Sequence, residues 1–319
     1  MYVANSDRYN KMKFAFSGKS GLQIPKVSLG LWHNFGSVDV YDNMRDMCFT
    51  AFDNGITHFD IANNYGPVPG SAETNFGRIL KNDLSAYRDQ LIISTKAGYD
   101  MWEGPYGNWG SRKYLIASLD QSLKRMNLEY VDLFYSHRYD PDTPLEETLQ
   151  AMVDIVKQGK ALYLGLSRWP LEALKFAGKY LRERDVPLLI YQGRLNLLDR
   201  SPQEEGILDY CAEHGIGFIS FSPLAQGLLT DRYLNGIPSD SRMAKEHFLK
   251  SKDLTPELLE KLKSWNAQAA KRNETLAEMA LSWILNQKGV TSVLVGASST
   301  EQLEKNMKCV HAEPFSSEI

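Results

Sequence analysis

The sequence predicts an α/β fold, a single (β/α)8 TIM-type barrel over residues 1–319, and three observations predict it. Strand-like and helix-like segments alternate through eight units. The strand segments are short, apolar and rich in Val, Ile and Leu, as parallel strands covered on both faces should be. No G-x-G-x-x-G follows any strand and no linker is visible, which counts against a doubly wound sheet carrying a second domain.

Taken in order, residues 26–32 read as the first strand and 41–54 as the first helix, stopped by Gly55. Residues 56–62 form the second strand. Residues 71–80 form the second helix, with Ser71 as its cap and Glu73 and Thr74 in its first turn. Residues 91–96 are the third strand, followed by a Gly- and aromatic-rich loop, 97–110. Residues 111–126 carry Leu115, Leu119, Ser122 and Leu123 at helical spacing. Strands are then predicted at 131–137, 160–167, 187–192, 216–222 and 290–296. Helices are predicted at 144–158, 170–184, 202–214 and 299–309, with Pro170 near the first turn of its helix. Two segments fall outside the repeat. Residues 13–24, with Ser17-Gly18-Lys19-Ser20-Gly21 between apolar flanks, look like a hairpin plugging the bottom of the barrel. Between strands seven and eight lie a long excursion, 225–253, and two extra helices, 255–272 and 275–287. An insertion of that size on the C-terminal face suits a ligand-covering loop.

Composition removes several function classes. With 43% hydrophobic and 24% charged residues the chain is globular, neither disordered nor fibrous. Lys+Arg total 36 against Asp+Glu 39, so no basic excess supports broad nucleic-acid binding. No apolar run approaches the ~18–20 residues of a membrane span. The polar start MYVANSDRYN has no signal-peptide core, and the expected location is the cytoplasm. Cys48, Cys211 and Cys309 are odd in number and widely spaced, with no CxxC pair, so neither a metal site nor a disulfide framework is expected.

In a barrel, groups at the C-terminal ends of the strands point into the site. Those positions hold Asp60, Lys96, His137, Ser167-Arg168, Gln192, Ser222 and Gly296, and Tyr65 follows Asp60 by five residues. The set suits acid catalysis by a phenol. Free Tyr, with a pKa of about 10, is a poor acid at neutral pH. A neighbouring ammonium lowers that value, and a carboxylate keeps the ammonium charged. His137 is placed to hydrogen-bond a carbonyl oxygen. Tyr99, Trp102, Tyr106 and Trp109 are candidates to wall a pocket. Gly296-Ala297-Ser298-Ser299-Thr300 joins a strand to a helix N-terminus, where free amides suit a phosphate. A Schiff-base lyase using Lys96 is a competing chemistry, although Asp60 would keep that lysine protonated.

The stretches Gly55-Ile56-Thr57-His58-Phe59-Asp60-Ile61-Ala62-Asn63-Asn64-Tyr65-Gly66, Ile93-Ser94-Thr95-Lys96 and Tyr130-Val131-Asp132-Leu133-Phe134-Tyr135-Ser136-His137 resemble the aldo-keto reductases. The similarity runs over essentially the whole chain. By that resemblance Asp60, Tyr65, Lys96 and His137 occupy the family's catalytic tetrad. The runs 29–36, 95–102 and 222–230 look like the bacterial L-glyceraldehyde 3-phosphate reductase subgroup, a relative of potassium-channel β subunits. The resemblance implies NADP(H) laid across the barrel top. Gly30, Trp32 and Asp60 would lie near the nicotinamide, with Ser167, Arg168 and Gln192 at its amide. Ser222, Leu224, Ala225 and Gly227 would wrap the pyrophosphate, and Arg232 and Arg242 would cover it. Gly296, Ser298, Gln302 and Asn306 would hold the adenosine end. Relatives often carry a basic residue just after the Ser298 position, where this chain has Ser299.

Trp32, Tyr65, His137 and Trp102 would border the substrate, a small aldehyde such as L-glyceraldehyde 3-phosphate or methylglyoxal. Homo-oligomers are common in the subgroup. The alternative it implies is a nucleotide-sensing regulatory subunit with slow turnover. Channel relatives typically have Asn at the position of His137, which favours turnover here.

Overall fold

A computed structural model describes the chain except for Met1, Asp240, Arg242 and residues 245–248 and 316–319. A two-stranded antiparallel hairpin, β1 (Phe14–Phe16) and β2 (Gln23–Pro25), precedes the repeat. The repeat then runs β3 (Val27–Gly30), α1 (Tyr41–Asp53), β4 (His58–Asp60), α2 (Ser71–Ile79), β5 (Ile92–Ala97), α3 (Arg112–Met126), β6 (Val131–Ser136) and α4 (Leu145–Lys157). It continues with β7 (Ala161–Ser167), α5 (Leu171–Arg182), β8 (Leu188–Arg194), α6 (Ser201–Glu204), α7 (Ile207–His214), β9 (Gly217–Phe221), α8 (Pro256–Lys271), α9 (Leu276–Leu285), β10 (Val290–Val295) and α10 (Thr300–Met307). Strands β3 to β10 are all parallel and close into a barrel, β10 pairing with both β3 and β9. The expected (β/α)8 architecture, its hairpin and its two extra helices are all present. Among the described residues no helix is long and apolar enough to cross a membrane.

The strands alternate between two cores. One set of side chains packs outward against the helices. The other, including Ile92, Leu133, Tyr135, Ile190, Ile219 and Leu294, fills the barrel interior, and Ile24 of the hairpin joins it from below. Ser17 is buried and donates to the Leu189 carbonyl (3.1 Å), while the Lys19 amide donates to Gly215 (2.9 Å), so the hairpin is stitched to the barrel floor. Interior packing demands small residues opposite large ones. A Cβ on Gly165 would sit 2.3 Å from the Tyr135 ring, so glycine there makes room for that tyrosine.

Several helices carry side-chain caps, and two segments differ from expectation. Ser111 caps α3, accepting from the Tyr114 amide at 3.2 Å, and Thr275 and Glu278 form a reciprocal capping box on α9. Ser71, expected as the cap of α2, is instead its first helical residue. Gly70, at φ 88°, supplies the turn, and the Ser71 hydroxyl faces the Pro67 carbonyl at 3.4 Å. The helix expected over 202–214 is two helices, α6 and α7, because Gly206 adopts φ 76° and breaks the run.

Buried polar pairs tie the layers together. Glu73 on α2 is fully buried. It accepts from Thr95 on β5 (2.6 Å) and from the Arg125 guanidinium on α3 (2.7 Å), so the charge is paired on two sides.

Candidate active site

Strand geometry assembles the site. Alternate residues of a strand share a face, so His58 and Asp60 on β4, and Ser94 and Lys96 on β5, all turn to the barrel interior. Register sets Asp60 beside Ser94 and leaves Lys96 one pair higher. The Lys96 ammonium is fully buried and makes three bonds. It donates to Asp60 Oδ2 (2.5 Å), to the Ile61 carbonyl (2.8 Å) and to the Tyr65 hydroxyl (3.2 Å). All three ammonium protons are therefore satisfied. Asp60 Oδ1 accepts from Ser94 (2.7 Å) and from Gln192 on β8 (3.2 Å).

The electrostatics follow from burial and partners. Burial pulls the Lys96 ammonium down, but Asp60 and Tyr65 outweigh it and hold the group above its ordinary value of 10.5. Tyr65 is pushed above the usual 10.0 by burial, with Lys96 opposing and Asp60 reinforcing. From sequence alone the ammonium is expected to lower the phenol. In the folded protein it offsets desolvation without overcoming it, because Asp60 neutralises much of its field.

The His137 ring lies 5.8 Å from the Tyr65 ring, edge on, and 4.7 Å from Tyr99, also edge on. Burial, and then the charges of Lys96, Arg168 and Arg138, keep this imidazole well below its usual value, so it is neutral at pH 7. A neutral imidazole offers one N–H as a donor. Nδ1 of His137 is buried with no hydrogen-bond partner among the described residues.

The loop after β5 is fixed around these groups. Arg138 donates to the Gly98 carbonyl and to Asn108 Oδ1 (both 2.7 Å), with its guanidinium 3.5 Å from the Trp109 ring centre and 4.3 Å from that of Tyr99. Asn63 donates to the Tyr114 hydroxyl (3.1 Å), which in turn donates to the Tyr99 carbonyl. Asp140 accepts from the Gly110 amide (2.9 Å) and the Thr143 hydroxyl (2.6 Å). Burial raises this carboxyl, but the donors hold it below the ordinary range.

The other expected residues ring the same end of the barrel. Trp32 follows β3, is 37% exposed, and its ring centre is 6.4 Å from that of Tyr65. Gly30 pairs with Asp60, and Ser167 with Gln192; Gly30, Asp60 and Ser167 end their strands, while β8 runs two residues beyond Gln192. Arg168 has φ 57°, lies over the Phe221 ring (4.9 Å) and donates to the Tyr99 hydroxyl (3.4 Å). After β9 the chain curls through Ser222 (φ 50°), Leu224, Ala225 (φ 46°), Gln226 (φ 62°) and Gly227 (φ 99°). Left-handed non-glycine residues cost free energy and cluster at functional sites. Gly296 ends β10. The Ser298 amide and hydroxyl donate to Gln302 Oε1 (2.8 and 3.0 Å), and Asn306 follows one turn along α10. Arg232 is exposed in a short 3-10 turn capped by Thr230, and Arg242 lies outside the described residues. Trp102 packs on Tyr114 (5.2 Å between rings), so the loop aromatic that touches His137 is Tyr99.

Sequence reasoning missed Ser94 and the second task of Gln192, both of which hold Asp60. The signal for Ser94 was available, because it precedes Lys96 by two on a strand and must share its face. His58 was missed in the same way.

Comparisons with known proteins agree with one another. Residues 26–319 match a family model described as the Aldo/keto reductase family. L-glyceraldehyde 3-phosphate reductase of Escherichia coli K12 is 56% identical, over 99% of this chain and 92% of that one. A probable voltage-gated potassium channel subunit beta of Arabidopsis thaliana is 35% identical, over 95% and 93% of the two chains. Among solved structures, a thermostable aldo-keto reductase in complex with the inhibitor epalrestat superposes with a TM-score of 0.75 at 27% identity, covering 96% of each chain.

Proposed function

Because the chain belongs to the aldo/keto reductase family, we propose that it reduces small aldehydes with NADPH, and that L-glyceraldehyde 3-phosphate is a substrate, methylglyoxal being a further candidate. The observation that carries this reading is the buried contact of Asp60, Lys96 and Tyr65 beside a neutral His137. The E. coli relatives bear the substrate's name.

The residues present fit a nicotinamide dinucleotide. Asn306 has a buried side-chain Nδ2 with no partner among the described residues, at the end of the barrel where the adenosine would lie. The curl from Ser222 to Gly227 holds four residues at positive φ, Ser222, Ala225, Gln226 and Gly227, a backbone arrangement that suits phosphate oxygens. Ser167, Arg168 and Gln192 would receive the nicotinamide amide. Gly30 and Trp32 would flank its ring, and Gly296, Ser298 and Gln302 would flank the adenosine. Arg232 and Arg242 would cover the phosphates. When bound, the cofactor supplies the hydride.

The chain's own residues do the rest. His137, neutral, donates a hydrogen bond to the carbonyl oxygen and fixes its direction. Tyr65 gives its hydroxyl proton to that oxygen as it gains negative charge. The Lys96 ammonium stabilises the phenolate left behind, and Asp60 keeps Lys96 charged. Trp32 and the Tyr99 loop limit water at the carbonyl, Trp102 supporting that loop from behind. The same reading implies a reducing, cytoplasmic setting, consistent with three free, buried cysteines.

The test follows NADPH absorbance during reduction of L-glyceraldehyde 3-phosphate by the native protein and by Tyr65→Phe. A loss of about 10²–10⁴ in kcat is expected, since a general acid is removed. Undiminished turnover in the variant refutes the role of Tyr65. Tightly held nucleotide with negligible multiple turnover in the native chain would favour a nucleotide-sensing subunit instead.

A further inference from the structure

Below the site a file of hydrogen-bonding groups runs through the barrel interior. Asp60 Oδ1 contacts Ser94 Oγ (2.7 Å), Ser94 Oγ contacts His58 Nε2 (3.0 Å), and His58 Nδ1 contacts Ser28 Oγ (2.9 Å). Ser28 Oγ then contacts Ser292 Oγ (2.8 Å), which reaches the Pro25 carbonyl (2.7 Å). Ser28, His58, Ser94 and Ser292 are fully buried. Five contacts thus join six groups, and the two ends, a carboxylate and a carbonyl, only accept.

Counting protons fixes what the file can do. Each serine has one hydroxyl proton and a neutral imidazole has one N–H, so four protons serve five contacts. One contact must go without. A bond to a carboxylate is the strongest of the five, so Ser94 spends its proton on Asp60. Two placements of the gap remain: an Nδ1–H tautomer leaves it between Ser94 and His58, and an Nε2–H tautomer leaves it at Ser292. A hydroxyl that donates to a carboxylate is polarised into a better acceptor, so a donor from His58 is worth most at Ser94, which favours the Nε2–H tautomer. His58 Nδ1 accepts from Ser28, and the missing proton falls at Ser292, the end away from the site. A second proton on the imidazole would satisfy all five contacts. Burial, with Lys96 adding to it, nevertheless lowers His58 to about 4, Asp60 only partly opposing, and keeps the ring neutral at pH 7.

Resting on the reductase reading, we propose that His58 is a positioning residue for the reaction: through Nε2–H it polarises the Ser94 hydroxyl that donates to Asp60, and so sets how strongly Asp60 draws on the Lys96 ammonium beneath Tyr65. Without that donor the Ser94 hydroxyl is less polarised and bonds Asp60 more weakly. Asp60 then draws more strongly on Lys96 and leaves less positive field at the phenol. Tyr65 becomes a weaker acid while the binding surfaces for nucleotide and aldehyde stay in place.

The test has a spectroscopic arm and a kinetic arm, both on the full chain. In protein carrying ¹⁵N-labelled histidine, the His58 ring signals are identified by their absence in His58→Gln. The expected pattern at pH 7 is a protonated Nε2 and an unprotonated Nδ1, and the opposite tautomer overturns the proposal whether or not the protein turns over. In the kinetic arm, His58→Leu and Ser94→Ala are each expected to lower kcat about tenfold, with KM for the aldehyde within about twofold of native. The double variant should lose no more than either single one, since both act through the same bond. His58→Gln, whose amide can still donate to Ser94, should restore most of the rate. Ser292→Ala, at the vacant end, should lower thermal stability and leave kcat within about twofold of native. Equal losses in all variants, scaling with stability, would show a merely structural file and overturn the proposal. Native protein that fails to reduce any aldehyde removes the reductase reading, and with it this role. Native turnover with an unmoved kcat in His58→Leu overturns this role alone.

Discussion

Replacing Asp60 by asparagine tests the charge pair at the centre of the site in a way that does not depend on turnover. The Lys96 ammonium is completely buried and Asp60 is 2% exposed, with 2.5 Å between the charged atoms. The substituted amide keeps the shape of the side chain but not its charge. The ammonium is left with the Ile61 carbonyl and the Tyr65 hydroxyl as its full-strength partners. Removing one member of a buried pair typically costs about 3–5 kcal/mol, because the other charge stays desolvated.

The pH dependence separates this cause from simple loss of packing. In the native protein Lys96 is held above 10.5, so its contribution is fully present below pH 10.5 and is lost only as pH rises through the higher folded value. In Asp60→Asn burial acts without its main counterweight and Lys96 falls below 10.5. The unfolded chain then binds the extra proton, so raising the pH relieves the variant. Guanidinium unfolding followed by tryptophan fluorescence, at neutral pH and near pH 9.5, should show a deficit of about 3 kcal/mol or more that narrows as pH rises. A deficit under about 1 kcal/mol, or one that widens with pH, would refute the assignment of a buried, carboxylate-held ammonium.

Four further outcomes are expected. His137→Ala should lower kcat for aldehyde reduction by about 10²-fold, since a donor to the forming oxyanion is lost. Because the imidazole is neutral, kcat in the native protein should show no inflection near pH 6.5, and such an inflection would contradict the burial of His137. Gly165→Ala should destabilise the fold by about 1–3 kcal/mol, seen as a lower midpoint in thermal unfolding, because its Cβ would overlap the Tyr135 ring; an unchanged midpoint would mean that the ring can yield. Burial raises Cys48 far above its usual value and pushes Cys211 and Cys309 up to about 12, so a thiol-reactive disulfide should modify the native protein slowly and all three cysteines only on unfolding.

The barrel was legible in the sequence because parallel strands buried on both faces carry unbroken apolar runs. Their C-terminal ends then expose Asp60, Lys96 and His137 as costly exceptions to that pattern. Tyr65, at a fixed offset from Asp60, came with them. The parts that were not legible depend on distances between strands. Nothing in a one-dimensional pattern says that Gln192 on β8 reaches across to Asp60 on β4, or that Ser28, His58 and Ser292 from three strands form one file. The sign of the Tyr65 shift needed the depth of burial as well as the presence of Lys96. Local backbone choices were missed for a similar reason. Gly206 lies between two helix-compatible stretches, and only its left-handed conformation in the fold divides α6 from α7.

The most direct single measurement is a crystal structure of the protein with NADP⁺ and a substrate aldehyde analogue. The expected result places the carbonyl oxygen within hydrogen-bonding distance of both the Tyr65 hydroxyl and the His137 ring. The nicotinamide C4 should lie about 3–3.5 Å from the carbonyl carbon, and the ring amide should rest on Ser167 and Gln192. A nucleotide bound at the opposite rim, or a nicotinamide C4 turned away from Tyr65, would contradict it.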